Sequence, residues 1–341
     1  MTRRIEGIDL LRGVAVGLVM LRHALPEVFG GAGVVGIVMF FALSGYLITG
    51  LLSTELERTG RLDLRRFYAR RARRLVPALV VLVVGVVGVT VALDPLGDRG
   101  ELGRTVLFAL TWTGNLPFGH ASDATFHLWT LATEEQFYLL WPALLALAFA
   151  RGRVGTAVLA AAVGCLLACG ATLVWLRSDP DLAYALPTSW AVCFVIGAGV
   201  RVYGERWRAP RWSIGMASGA LTLLAVIPLR GHALTYLAGG PAIAALTGVL
   251  LLAGREQVDV TAATLRPLVW LGTVSYAAYL WNYPLTLWWR AALDDEPGGE
   301  LTAGLVAAVL TLGLAAASTR WVEEPFLRRR SPQPVALRAR S

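Results

Sequence analysis

Three sets of side chains in this sequence combine residue types and spacings suited to proton transfer or anion recognition. Arg12 and His23 lie eleven residues apart. On an α-helix that spacing returns both to one face, with a rise of about 16 Å between them. Asp9 stands three residues before Arg12 and is placed to pair with it. An imidazole there suits a general base, since its ordinary pKa is close to neutral. The same residues also suit a plainer use, with Asp9 and Arg12 as interfacial anchors and His23 ending the helix. The second set is His127, Glu134, Glu135 and Tyr138. His127 and Glu134 share a helix face, Tyr138 follows one turn on, and Glu135 points about 100° away. A carboxylate beside an imidazole raises its basicity. The other use for this acidic pair is an ion pair with arginine that holds helices together. The third set is Arg71 and Arg74, one turn apart at the start of an apolar run. Paired guanidinium groups suit phosphate, which they grip through bidentate hydrogen bonds. Anchoring of a membrane span accounts for them equally well.

The elements that must position these groups are membrane helices. The 341 residues are 56% hydrophobic and 16% charged, against about a quarter charged in soluble domains, and mean hydropathy is +0.60. Apolar residues come in blocks such as Val76–Leu93 and Val154–Leu176. Blocks of about 18 residues are long enough to span the hydrocarbon core as helices, and they lack the alternation of a barrel strand. The fold class expected is all-α, a polytopic membrane helix bundle of about ten transmembrane helices. The spans fall near 7–27, 34–53, 75–93, 127–150, 155–176, 186–203, 212–229, 234–253, 267–290 and 301–322. Residues 1–330 read as one transmembrane domain and 331–341 as a short disordered tail.

Charge sets the orientation, because short cytoplasmic loops carry the excess of basic residues. All 31 basic residues are arginine, which reads as codon bias. The loop after the second span holds Arg58, Arg61, Arg65, Arg66, Arg70, Arg71, Arg73 and Arg74, and the C-terminal tail is also arginine-rich. Segments 94–99, 178–185 and 294–300 are poor in arginine or acidic. The alternation fits a multi-pass protein of the cell (cytoplasmic) membrane with both termini cytoplasmic. An additional span at 102–118 would invert it, so this stretch is expected to be a surface or re-entrant helix in an outer loop. A cysteine at Ser122 is accordingly expected to react from outside.

The arginines cluster in loops between spans, which argues against a nucleic-acid partner. Cys165, Cys169 and Cys193 lie inside spans and form neither a disulfide framework nor a metal site. The first apolar stretch shows no small-residue cleavage site, so no removable signal peptide is expected. Ten spans with buried charge also suit a transporter or flippase, although no repeat relates the two halves.

Taken in order, the motifs resemble the acyltransferase 3 family of membrane O-acyltransferases over nearly the whole chain. The matching elements are Arg12 with His23, Phe40–Ile48, Arg71 and Arg74 followed by Pro77, His127–Tyr138, Ser275-Tyr276 through Trp281, and Glu323–Phe326. The sequence departs from the family in having Asn282 where a histidine often follows Leu-Trp. Asparagine cannot shuttle a proton, so the acid–base burden falls on His23.

The resemblance implies transfer of an acyl group, usually acetyl, from a coenzyme A thioester to a carbohydrate or glycosylated acceptor. Acyl-CoA (acetyl-CoA) is then a donor substrate, and no permanent cofactor or metal is expected. His23, Glu134 and Glu135 are the catalytic candidates, with a glutamate fixing the His23 tautomer. Arg12, Arg71 and Arg74 are the donor-binding candidates. His127, Tyr138, Ser44, Tyr276 and Asn282 are substrate-contacting or supporting candidates. With 19 residues after the last span and no fused hydrolase-like domain, a handover would need a separate extracytoplasmic acyl-handling protein.

Overall fold

A computed structural model describes residues 5–116, 121–204, 207–257 and 259–328. The proposed tail at 331–341 lies outside the described residues. The fold is all-helical, with no strand among the described residues. The α-helices are α1 Glu6–Ala24, α2 Ala32–Thr59, α3 Leu64–Ala92, α4 Leu102–Thr111, α5 Trp129–Ala150, α6 Val154–Trp175 and α7 Pro187–Tyr203. They continue with α8 Arg211–Val226, α9 Gly240–Gly254, α10 Arg266–Thr273, α11 Ser275–Ala292, α12 Gly299–Ser318 and α13 Glu324–Arg328.

Five described segments are long and apolar enough to cross a bilayer: Ala32–Thr59, Leu64–Ala92, Val154–Trp175, Thr235–Gly254 and Gly299–Leu327. The other expected spans are shorter or carry the polar residues of the site. α7 has 17 residues and α8 has 16. The span expected at 267–290 is two helices, because the chain leaves helical geometry at Val274. Ser275, the first residue after the break, accepts hydrogen bonds on its Oγ from Arg12 of another helix.

α4 has ten residues and a length of about 15 Å, half a hydrocarbon core. The chain after it runs inward. Asn115 and Gln136 exchange amide hydrogen bonds of 2.9 and 3.0 Å, and Gln136 lies seven residues, about 10 Å, down α5 from Trp129. The end of the segment is therefore tied back onto α5. Ser122 returns from it only 2% exposed, so a cysteine there would be shielded from a labelling reagent.

α1 opens on Glu6 and Asp9 and closes on Arg22 and His23, a charge order that suits the helix dipole. α2 ends at Gly60, whose φ of +71° forms a left-handed cap, and Asp63 then caps α3 by accepting from the Arg66 amide. This tight turn carries the arginine cluster back onto the bundle. Close helix crossings fix the centre. A Cβ on Gly13 would lie 1.9 Å from the Leu268 carbonyl oxygen, and one on Gly272 would lie 1.8 Å from that of Asp9. Gly45 and Gly197 face each other's helices in the same way between α2 and α7. Small residues allow such approach where no hydrophobic effect drives helices together.

Candidate active site

A cavity of about 580 Å³ opens at the arginine-rich end of the bundle. Arg12, Ser44, Arg71, Arg74, Glu134, Glu135, Tyr138 and Tyr276 all line it, so most of the site residues expected from sequence converge there. Its walls otherwise are largely apolar, and its inner end is formed by Phe40, Thr130 and Tyr279. His23, His127 and Asn282 lie beyond that end, towards the C-terminus of α1.

The charged groups at the mouth do different jobs. Arg71 donates to Glu135 at 2.6 Å, joining α3 to α5, and its guanidinium lies 3.4 Å from the centre of the Tyr138 ring. Glu134 accepts from the Tyr138 hydroxyl and from Ser44 at 2.6 Å. Arg12 donates to Ser275 Oγ at 2.9 and 3.2 Å, across the break before α11. Arg74 has no hydrogen-bond or ion-pair partner among the described residues and is exposed at the mouth. It is the uncommitted cation there.

Neither glutamate reaches His23. The residue against His23 is Asn282, with its Oδ1 2.6 Å from His23 Nδ1. The next partner fixes how the amide points. Thr311 spends its only hydroxyl proton on the Ala307 carbonyl at 2.6 Å. Its oxygen therefore accepts from Asn282 Nδ2, at 3.3 Å. Asn282 Oδ1 is left facing the imidazole, and an amide oxygen can only accept. Nδ1 must carry the His23 proton, so Nε2 keeps its lone pair. Asparagine at this position thus does what the sequence reading assigned to a glutamate: it sets the tautomer of the base.

His127 is engaged differently. α11 contains Pro284, which has no N–H to offer the Leu280 carbonyl four residues earlier. His127 Nε2 donates to that carbonyl at 3.0 Å. Its own carbonyl accepts from Tyr279 at 2.8 Å and Thr130 at 3.1 Å. The same logic operates in α5, where Pro142 vacates the Tyr138 carbonyl and Tyr68 donates to it at 3.2 Å. In a bilayer such carbonyls must be satisfied by the protein itself. His127 therefore clamps α11 two residues before Asn282, and Tyr283 bridges the two histidine rings at 5.2 and 5.1 Å.

A sequence profile for the acyltransferase domain matches residues 5–320. The chain belongs to the acyltransferase 3 family. Over 350 residues it is 31% identical to the peptidoglycan O-acetyltransferase OatA of Listeria monocytogenes, covering 94% of this chain and 56% of that protein. Over 352 residues it is 24% identical to the O-acetyltransferase OatA of Staphylococcus aureus, covering 95% of this chain and 57% of that one. The chain thus spans little more than half the length of these relatives. No solved structure matches it.

Within this acyltransferase 3 chain, Thr311 and Thr130 are functional-site residues that sequence reasoning missed. Thr311 is a lone hydroxyl in an apolar run and carries no pattern of its own, whereas Thr130 lay inside the His127–Tyr138 motif with no role assigned to it. Tyr279 lay inside a family motif, but only the fold shows it closing the cavity.

Proposed function

We infer that this protein moves an acetyl group from acetyl-coenzyme A to a hydroxyl of a cell-envelope glycan. The observation that carries this reading is the His23–Asn282–Thr311 chain, which leaves a basic nitrogen free beyond the inner end of the cavity. Arg74 receives a donor phosphate, and the largely apolar cavity takes the pantetheine arm. Passage of the acyl end to His23 requires Tyr279 to swing away from Phe40, its edge-on neighbour at 6.4 Å. His23 Nε2 then takes the acceptor O–H proton as the oxygen attacks the thioester carbonyl. The C–S bond breaks, and the departing thiolate takes the proton from the imidazolium. Asn282 holds the imidazolium through Nδ1–H while it exists.

The similarity to the peptidoglycan O-acetyltransferase of Listeria monocytogenes makes peptidoglycan sugars the first acceptors to test. The arginine distribution supports ten crossings of the cytoplasmic membrane with both termini and the donor mouth inside, and His23 towards the outer side. The test is transfer of radiolabelled acetyl from acetyl-CoA to glycan fragments by pure protein in detergent. Transfer requires no sealed membrane. Protein that moves glycan across liposomes but never transfers label would be a transporter, against this reading.

A further inference from the structure

Around His23 and His127 the structure gathers aromatic and cationic side chains that the mechanism above does not use. Tyr283 lies edge-on to His23 and 6.5 Å from Phe126. Phe126 and Tyr184 are nearly parallel, at 14° and 6.5 Å between ring centres. None of the three rings is fully buried, and Phe126 is 36% exposed. Tyr184 is backed by two buried tryptophans, with Trp129 at 5.0 Å and Trp190 at 6.0 Å, and Trp190 donates to its carbonyl at 2.7 Å. The shelf is therefore held rigid from behind. Arg230 lies 4.6 Å from the centre of the Tyr184 ring and is gripped by both oxygens of Asp181, at 2.8 and 2.9 Å. These groups come from four separated parts of the chain, which no single helix-packing need explains.

Beside the shelf, Arg290 is committed to Glu300 at 3.1 Å and to the His23 carbonyl at 2.8 Å. Asp123, the acidic residue next to Tyr283, has an interaction of its own. Arg22 differs from these. It directly precedes His23 on α1, and its stem packs over Gly33 at the start of α2. It has no hydrogen-bond or ion-pair partner among the described residues, although it is only part-exposed. A half-buried guanidinium without an anion is costly unless a ligand supplies one.

We propose that Phe126, Tyr184 and Tyr283 form an acceptor subsite for a pyranose ring, and that Arg22 selects sugars bearing a carboxylate. The C–H face of a sugar is apolar and mildly positive, so it lies well on the negative faces of aromatic rings. A ring seated there sets a hydroxyl beside His23, and the carboxylate completes the coordination of Arg22. The sugar-acceptor assignment rests on the acetyl-transfer reading, but the binding preference is measurable without any transfer.

The test uses the purified full chain in nanodiscs, with binding read by saturation-transfer NMR. The probes are N-acetylglucosamine and N-acetylmuramic acid, which share a ring and differ by a lactyl carboxylate. The unaltered protein should bind the acidic sugar about tenfold more tightly, as one charge-assisted contact allows. Arg22→Gln should abolish that preference while leaving N-acetylglucosamine binding unchanged, and Arg22→Lys should retain most of it. Tyr184→Ala should weaken both sugars. Equal binding of the two sugars by the unaltered protein, or a preference that survives Arg22→Gln, would overturn the proposal. Equal binding of the two sugars by unaltered protein that still transfers acetyl would remove the subsite and leave the enzyme reading standing. The preference without any transfer would remove the enzyme reading and leave the subsite.

Discussion

Asn282 Oδ1 lies 2.6 Å from His23 Nδ1 and orients the imidazole from a helix more than 250 residues away in sequence. Asn282→Leu should keep the fold and lose acetyl transfer by about 10²-fold, because the base loses its tautomer control. Asn282→Asp, which still accepts the Nδ1 proton, should retain much more activity. Steady-state kinetics on the two variants compare them directly. Equal loss in both would show that the site needs only the asparagine's shape.

Arg71 and Arg74 should separate cleanly in experiment. Arg71→Ala leaves Glu135 without its ion-pair partner and should cost stability, about 2 kcal/mol for a partly buried pair. Replacing both, as Arg71→Met with Glu135→Gln, should recover most of that loss in thermal unfolding. Arg74→Ala should leave stability alone and raise KM for acetyl-CoA about tenfold with little change in kcat. A shift confined to acceptor KM would assign Arg74 a different role.

His127 and Pro284 make a coupled pair through the Leu280 carbonyl. His127→Ala strands that carbonyl and should impair activity. Pro284→Ala restores the N–H that the carbonyl lacks, so the double variant should be more active than His127→Ala alone. If His127 instead took part in the chemistry, Pro284→Ala would rescue nothing.

Gly272 meets the Asp9 carbonyl where α10 crosses α1. Gly272→Val should force the helices apart, pull Arg12 from Ser275 and lower the unfolding temperature. An exposed glycine such as Gly219, with no atom near its Cβ position, should accept alanine without loss. Thermal unfolding in detergent reads both. Unchanged unfolding of Gly272→Val would mean the two helices do not cross as closely as described.

Much of this was legible in the sequence, and the failures have physical causes. Helix positions followed from apolar run length, and the family followed from ordered motifs. The cavity residues were named because they are ionisable groups inside apolar runs, which membrane burial makes costly. The partnerships were not legible. Arg71 and Glu135 are 64 residues apart, and only the α3–α5 packing joins them. Asn282 was discounted because it cannot titrate, although orienting a base requires only an acceptor. The break at Val274 left no mark in hydropathy. The role of His127 was within reach, since Pro284 already implies an unpaired carbonyl at Leu280.

His23 is the proposed base. The most direct measurement is the rate of acetyl transfer from acetyl-CoA to glycan fragments by purified His23→Ala, beside the unaltered protein, with folding checked by size exclusion. The variant should insert and fold normally and transfer at least about 10²-fold more slowly. Transfer at the unaltered rate would contradict the account and move the base elsewhere in the bundle.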